Sequence, residues 1–268
     1  MYRRSTPGST PENLPKRLLG VWAHPDDEAY LSAGLMARMA DAGHSVTVVT
    51  ATRGEKGTDA EDPRFATSAF AAFRDQELRS SLSELGVDDV RFLGYGDGDC
   101  DLVPDGLAVA AIETVITEVR PDVVITFGPD GITGHPDHRA VSRWTTEAWR
   151  RTGAGDLRYA TMTDEFVARH ADLHAEMGAF DEFGLDGPFS IPGTDLVSEL
   201  ALSDAELDRK RRALAAHASQ TTGLAEFMGE ATYRTWWRAE SFRRPTATEM
   251  ASCPLPQHRL APTVAAAA

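Results

Sequence analysis

Along the first 150 positions, short unbroken apolar runs alternate with longer stretches whose apolar residues fall three or four apart. Residues 17–23 (RLLGVWA) form a run of the kind found in strands buried on both faces. The acidic, proline-bearing stretch 24–28 (HPDDE) ends it, and Leu31, Leu35, Met36 and Met39 follow at helical spacing. Residues 41–44 (DAGH) close that helix, the glycine allowing a left-handed cap. Residues 45–52 (SVTVVTAT) are rich in β-branched side chains and predict a second strand. Strand, helix and strand in so short a span predict a right-handed βαβ unit with parallel strands.

The alternation goes on. A polar loop at 53–62 and a long helix at 66–86 precede a short strand at 90–93 and a Gly/Asp-rich loop at 94–101. A helix over 107–119 leads into 122–127 (DVVITF), and the loop 128–138 (GPDGITGHPDH) opens a helix reaching residue 151. The expected fold class is α/β: an open, mostly parallel, doubly wound, Rossmann-like sheet with helices on both faces. Beyond Gly155 the pattern weakens. It predicts a strand at 157–160, a helix at 163–177, a loop at 180–193 and an edge strand at 196–201. Ser203, with Glu206 completing a capping box, starts a further helix ending near 219. The expected organisation is a polar extension over 1–16, one catalytic domain over 17–244 with a loop or lid region about 155–195, and a Pro/Ala-rich tail over 245–268.

Composition narrows the class. At 268 residues, 42% hydrophobic and 25% charged, the chain can bury a substantial core. Its net charge of −14 repels phosphate backbones and anionic lipid, so neither nucleic acid nor a membrane surface is an expected partner. No apolar run approaches the ~20 residues of a bilayer span. Residues 1–15 lack an apolar signal core, so a cytoplasmic protein is expected. Cys100 and Cys253 are the only cysteines, too few for a disulfide framework or an all-thiolate site. A metal site must therefore be built from histidine and carboxylate.

Such side chains cluster at two strand ends, where open parallel sheets bind their ligands. His24, Asp26, Asp27 and Glu28 follow the first strand; His135, Asp137 and His138 follow the 122–127 strand. Catalytic zinc takes three His or carboxylate ligands and leaves one position open. His24, Asp27 and His138 can supply the three. Asp26, beside a ligand but directed elsewhere, is placed to take a proton from water. His135, one turn before His138, is placed to donate to an oxyanion or leaving nitrogen, and Asp137 to hold its tautomer. Either tetrapeptide alone also serves as a helix cap, since Asp is favoured there. Two such clusters after two strands of one sheet favour the chemical reading.

With those residues in view, the chain resembles the LmbE-like, or PIG-L, family of zinc-dependent N-deacetylases. The match lies in AHPDDE at 23–28 and GHPDH at 134–138, the latter preceded by PDVVITFGPDG at 121–131. Lesser features are TRGEKG at 52–57, RDQE at 74–77 with LGV at 85–87, and KRRALAAHASQ at 210–220. The resemblance implies a hydrolase removing acetyl from the amide nitrogen of an N-acetylglucosamine-type conjugate, a small-molecule substrate. It implies Asp26 as general base, His24, Asp27 and His138 as zinc ligands and His135 as electrostatic stabiliser. It also implies Arg74 and Asp97 as sugar contacts, a clamp suited to a polyol. Iron(II) and cobalt(II) fit the same ligands. The alternatives are an amidase or deacylase acting on a thiol conjugate or natural-product precursor, and a non-catalytic metal- or ligand-binding regulator. Homo-oligomerisation is left open.

One departure stands out. Some sugar-deacetylating members carry an oxyanion-assisting tyrosine two residues before His135, where this chain has Thr133. Among other candidates, His170 and His174 are four apart but lack a third ligand, and a solvated helix face is expected there. His217 has packing and site roles open, and Trp236 and Trp237, beside Arg234 and Arg238, are expected to pack in the core or an interface in preference to stacking on a sugar. No GxGxxG supports a dinucleotide site.

Overall fold

The computed structural model describes residues 4–5, 14–57, 67–178, 183 and 187–251. In chain order the elements are β1 (Arg4–Ser5), β2 (Arg17–Trp22), α1 (Asp27–Asp41), β3 (Ser45–Thr50), α2 (Thr67–Leu85) and β4 (Asp89–Phe92). Next come α3 (Asp105–Val119), β5 (Val123–Phe127), α4 (Pro136–Thr152), β6 (Asp156–Thr163), α5 (Asp164–Arg169) and α6 (Ala171–Met177). The rest are β7 (Ser190–Ile191), β8 (Ser198–Ala201), α7 (Asp204–Ala216), α8 (Ala218–Met228), α9 (Glu230–Trp236), β9 (Ala239–Arg243) and α10 (Ala247–Ala251).

The sheet runs β1-β8-β9-β6-β5-β2-β3-β4, with β7 added beside β6. From β4 to β6 all neighbours are parallel. The chain winds outward from β2 through β3 to β4, then crosses back to β5 and on to β6. That reversal places α1 and α2 on one face, where α7 joins them, and α3 with α4 on the other. The expected doubly wound fold is what forms. β2 and β5 are almost wholly buried, which explains their unbroken apolar sequences.

The second half departs from expectation in several places. The helix predicted over 163–177 is two helices, broken at His170, which terminates α5 and precedes α6. β8 is not an edge strand: β9 pairs with it antiparallel on one side and β1 parallel on the other. Arg4 and Ser5, in the expected polar extension, thus join the sheet. β9, absent from the sequence reading, inserts antiparallel between β6 and β8. The expected tail includes α10, and 252–268 lie outside the described residues, as do 180–182 and 184–186 of the predicted 180–193 loop, whose residues 190–191 form β7 instead.

A buried ion pair fastens this half to the first. Glu240 on β9 accepts the N–H groups of Gly34 and Leu35 in α1 at 2.8 and 2.9 Å. Lys210 of α7 donates to Glu240 at 2.8 Å and to the Tyr30 carbonyl at 2.6 Å. Gly34 makes the approach possible, because a Cβ there would meet Leu202 at 2.3 Å. Burial pushes the Lys210 ammonium below its ordinary pKa against the pull of Glu240.

Candidate active site

The turns after β2 and β5, neighbours across the point where strand order reverses, bring both motifs together. His24 leaves β2 with Nε2 3.1 Å from Asp97 and 3.1 Å from Asp137. Nε2–H donates to these carboxylates, so Nδ1 faces the centre. His138, in the first turn of α4, directs Nδ1 to the Gly131 carbonyl at 2.9 Å and leaves Nε2 inward. Its ring lies flat on Phe127, with centroids 4.2 Å apart. Asp27 accepts the backbone N–H groups of Ala23 and His24 at 3.1 and 2.8 Å, which folds its carboxylate back over the strand end.

The ligand atoms of three side chains therefore converge. His24 Nδ1 is 3.2 Å from His138 Nε2, His138 Nε2 is 3.4 Å from Asp27 Oδ1, and His24 Nδ1 is 3.8 Å from Asp27 Oδ2. Ligands about 2.0–2.1 Å from a tetrahedral zinc stand roughly 3.3 Å apart, so this set fits a small divalent cation. The remaining nitrogen of each ring is anchored by carboxylate or carbonyl, as ligating imidazoles require. The field agrees. Burial opposes charge on His24, but Asp137, Asp97 and Asp27 raise it to about 10, while burial and His24 lower His138 to about 3.

Asp26 sits beside this centre in a conformation rare for a residue with a Cβ, φ 123°. It occupies the N-cap position of α1 but its side chain makes no capping bond, so the helix-cap reading fails for it. Instead Arg74 lies 3.2 Å from Asp26 Oδ2 and also donates to the carbonyls of Gly54 and Pro25. Gly54 is required by this contact, since a Cβ there would fall 1.8 Å from the guanidinium. Burial pushes the Asp26 carboxyl up to about 7, with Arg74 pulling the other way.

One sequence-predicted partnership is replaced, and a second residue has a further partner. The Asp137 carboxylate does not hold His135: Oδ2 takes the N–H of Gly98 at 2.7 Å and faces His24, and Oδ1 takes the N–H of Cys100 at 3.1 Å. The backbone N–H of Asp137 donates to His135 Nδ1 at 3.1 Å and leaves the His135 proton on Nε2. Burial, then the neighbouring His24 and His138, lower His135 to about 4, so it is a neutral donor near pH 7. Asp97, expected at the sugar, is already engaged by His24 and by the Lys56 N–H at 2.8 Å. Burial opposes ionisation there, but the His24 hydrogen bond dominates among the favourable contacts and holds Asp97 down to about 2.

The sequence reading missed Glu28. Fully buried, it accepts the Asp26 N–H at 3.0 Å and meets His217 Nε2 at 3.0 Å, so His217 of the AHASQ stretch stands behind Asp26. Its signal was the last letter of HPDDE. His174 is another correction: it is buried beside Phe166 and Trp236, not on a solvated face, and the cation-holding groups among the described residues do not include it. Trp236 and Trp237, expected only to pack, also line a cavity of about 540 Å³ over the centre. Asp26, Arg74, Asp97, Thr133 and His135 line it as well.

A doubly wound α/β protein with a two-imidazole, one-carboxylate cation site at its switch point is the class this geometry defines. Comparison with known proteins supplies the family. Residues 19–149, spanning both motifs, match the model of PIG-L, described as GlcNAc-PI de-N-acetylase. The chain is 35% identical over 240 residues to the 1D-myo-inositol 2-acetamido-2-deoxy-alpha-D-glucopyranoside deacetylase of Rhodococcus erythropolis, covering 77% of this chain and 82% of the relative. It is 38% identical over 244 residues to the protein of the same description from Rhodococcus opacus, with coverages of 77% and 82%. In fold it is similar to N,N'-diacetylchitobiose deacetylase from Pyrococcus horikoshii, at TM-score 0.59, 22% identity and coverages of 85% and 83%. This chain belongs to the PIG-L family of de-N-acetylases. Among the described residues no helix is long and apolar enough to cross a membrane.

Proposed function

We propose that this chain is a metal-dependent hydrolase that removes acetyl from the nitrogen of an N-acetylglucosamine-type conjugate. The observation that carries the reading is the convergence of His24, Asp27 and His138 at a cavity that Asp26 and His135 also line. Zinc suits these ligands, and iron(II) or cobalt(II) would be accepted by them. Such an ion, when bound, polarises the acyl carbonyl and eases loss of a proton from water.

The chain's own groups supply the rest. Asp26 takes the proton of the attacking water, and its burial makes it basic enough to hold that proton and return it to the departing amine. Arg74 and Glu28 keep Asp26 in its strained, productive conformation. His135 offers Nε2–H to the oxygen on which charge develops, as a neutral donor. With Thr133 where a tyrosine would stand, His135 bears this task without a phenol from that position. Asp97 and Asp137 orient His24. Arg74 and Asp97 also line the cavity, so sugar hydroxyls can lie against them.

The test is acetate and free-amine release from N-acetylglucosaminyl conjugates by the zinc-loaded chain, before and after chelation. Release that stops on chelation and returns with metal is expected. A rate indifferent to chelation, or no release from any N-acetylhexosamine conjugate, would contradict the proposal.

A further inference from the structure

Opposite the metal side, the cavity wall is made by a second, smaller apolar cluster, separate from the main core. Trp236 is buried in it, and Tyr30, Met177, Leu224 and Trp237 pack against it. All five line the cavity, and Met162 adjoins them. The two indoles have centroids 5.0 Å apart, and Trp237 stacks on Phe166 at 5.1 Å. Both indole nitrogens are buried, so what the rings offer the cavity is carbon surface. Along α8, Phe227 follows Leu224 by three residues, on the same side of the helix, and stays 48% exposed.

Beyond the catalytic and metal-site groups, the polar side chains lining this cavity are Tyr30, Lys56, Thr133 and Gln220, and each already has a partner: Tyr30 meets the Tyr233 hydroxyl at 3.2 Å and Thr133 accepts the His135 N–H at 3.4 Å. Gln220 donates to the Gly57 carbonyl at 2.8 Å, Lys56 pairs with Asp99 at 3.0 Å, and Arg74 and Asp97 hold Asp26 and His24. One amino sugar on the metal side uses what capacity remains. A second ring bearing a hydroxyl on every carbon would bury those hydroxyls against indole, thioether and leucine with no partner, which is costly.

We infer that the substrate of this chain carries an apolar group, alkyl or aryl, next to its acetamido sugar, and that this group lies on Met162, Met177, Leu224, Trp236 and Trp237. The inference rests on the de-N-acetylase reading above and names the conjugate that reading leaves open. Because the group removed is acetyl, the apolar group is attached at the glycosidic oxygen.

Two measurements test it. With zinc-loaded enzyme, kcat/KM is compared for hexyl N-acetylglucosaminide, N-hexanoylglucosamine and N-acetylglucosaminyl-inositol. Hexyl N-acetylglucosaminide should exceed the inositol conjugate by about tenfold or more, and a better rate on N-hexanoylglucosamine would place the apolar group on the acyl side and contradict the inference. Trp237→Ala and the milder Leu224→Gln should each reduce that ratio severalfold. Calorimetry then compares hexyl glucosaminide with glucosaminyl-inositol, neither of which holds an acetyl group to lose. Tighter binding of the hexyl compound, with the more negative heat-capacity change, is expected. Equal or better use of the inositol conjugate, or no calorimetric preference for the hexyl compound, overturns the inference and leaves de-N-acetylation standing. Silence on all three substrates alongside a clear calorimetric preference would instead fault the catalytic reading.

Discussion

The metal side of the cavity comes from the turns after β2 and β5, whereas its opposite wall comes from α6, α8 and α9. On the first side His24 and His138 each have one ring nitrogen fixed by a carboxylate or carbonyl, and Asp27 is pinned by two backbone N–H groups. On the second, Met177, Leu224 and the two indoles meet through carbon surface with no hydrogen bond from either indole. Chemistry that depends on the placing of a proton needs the first kind of construction. Selection among substrates by shape and burial needs only the second, and a single side chain can retune it.

The comparison predicts effects of very different size. Asp26→Asn should bind metal as the unaltered chain does yet lose roughly 10²–10⁴ in turnover, read by acetate release alongside metal content. Loss of metal in that variant would show Asp26 to be part of the cation site. Next in size is the joint between the halves. Lys210→Met leaves Glu240 charged and buried, so urea unfolding should show a loss of about 3–5 kcal/mol. A loss under about 1 kcal/mol would mean that the pair is dispensable.

Asp97→Asn should fold normally and weaken zinc binding about 10–100-fold by competition dialysis, because it loosens His24 and contributes no ligand. An unchanged zinc affinity would return Asp97 to the sugar alone. The smallest effect lies outside the cavity, at Glu206. Burial opposes its charge, but Arg38 and Ser203 hold its carboxyl down to about 2 in the folded protein. A depressed carboxyl pKa adds stability that is full above the unfolded value of about 4.3 and fades as pH falls toward 2. The gap in urea midpoint between the unaltered chain and Glu206→Gln should therefore narrow from pH 6 to pH 3. A constant gap would contradict the pairing.

How much of this was legible follows the same division. HPDDE and HPDH are contiguous, each follows a buried parallel strand, and the strand-end rule brings them together without knowledge of any side-chain contact. The exchange of partners at Asp137 was hidden, because its acceptors' donors, the N–H groups of Gly98 and Cys100, belong to a loop forty residues upstream with no pattern tying it to α4. Glu28 was visible in the first cluster but its role was not, because its partner, His217, lies 189 positions away. The apolar wall was the least legible. α8 and α9 are separated by Gly229, whose φ of 75° breaks the helical period, and β9 (AESFR) carries Glu240, Ser241 and Arg243 rather than showing an apolar run. Tryptophans at 236 and 237 announce burial but not which cavity they bound.

Anomalous diffraction from crystals grown with zinc tests the central claim most directly. One ion should appear within about 2.0–2.2 Å of His24 Nδ1, His138 Nε2 and an Asp27 oxygen, with a face open to the cavity. An ion held elsewhere, or none at those three atoms while the protein releases acetate, would contradict the account.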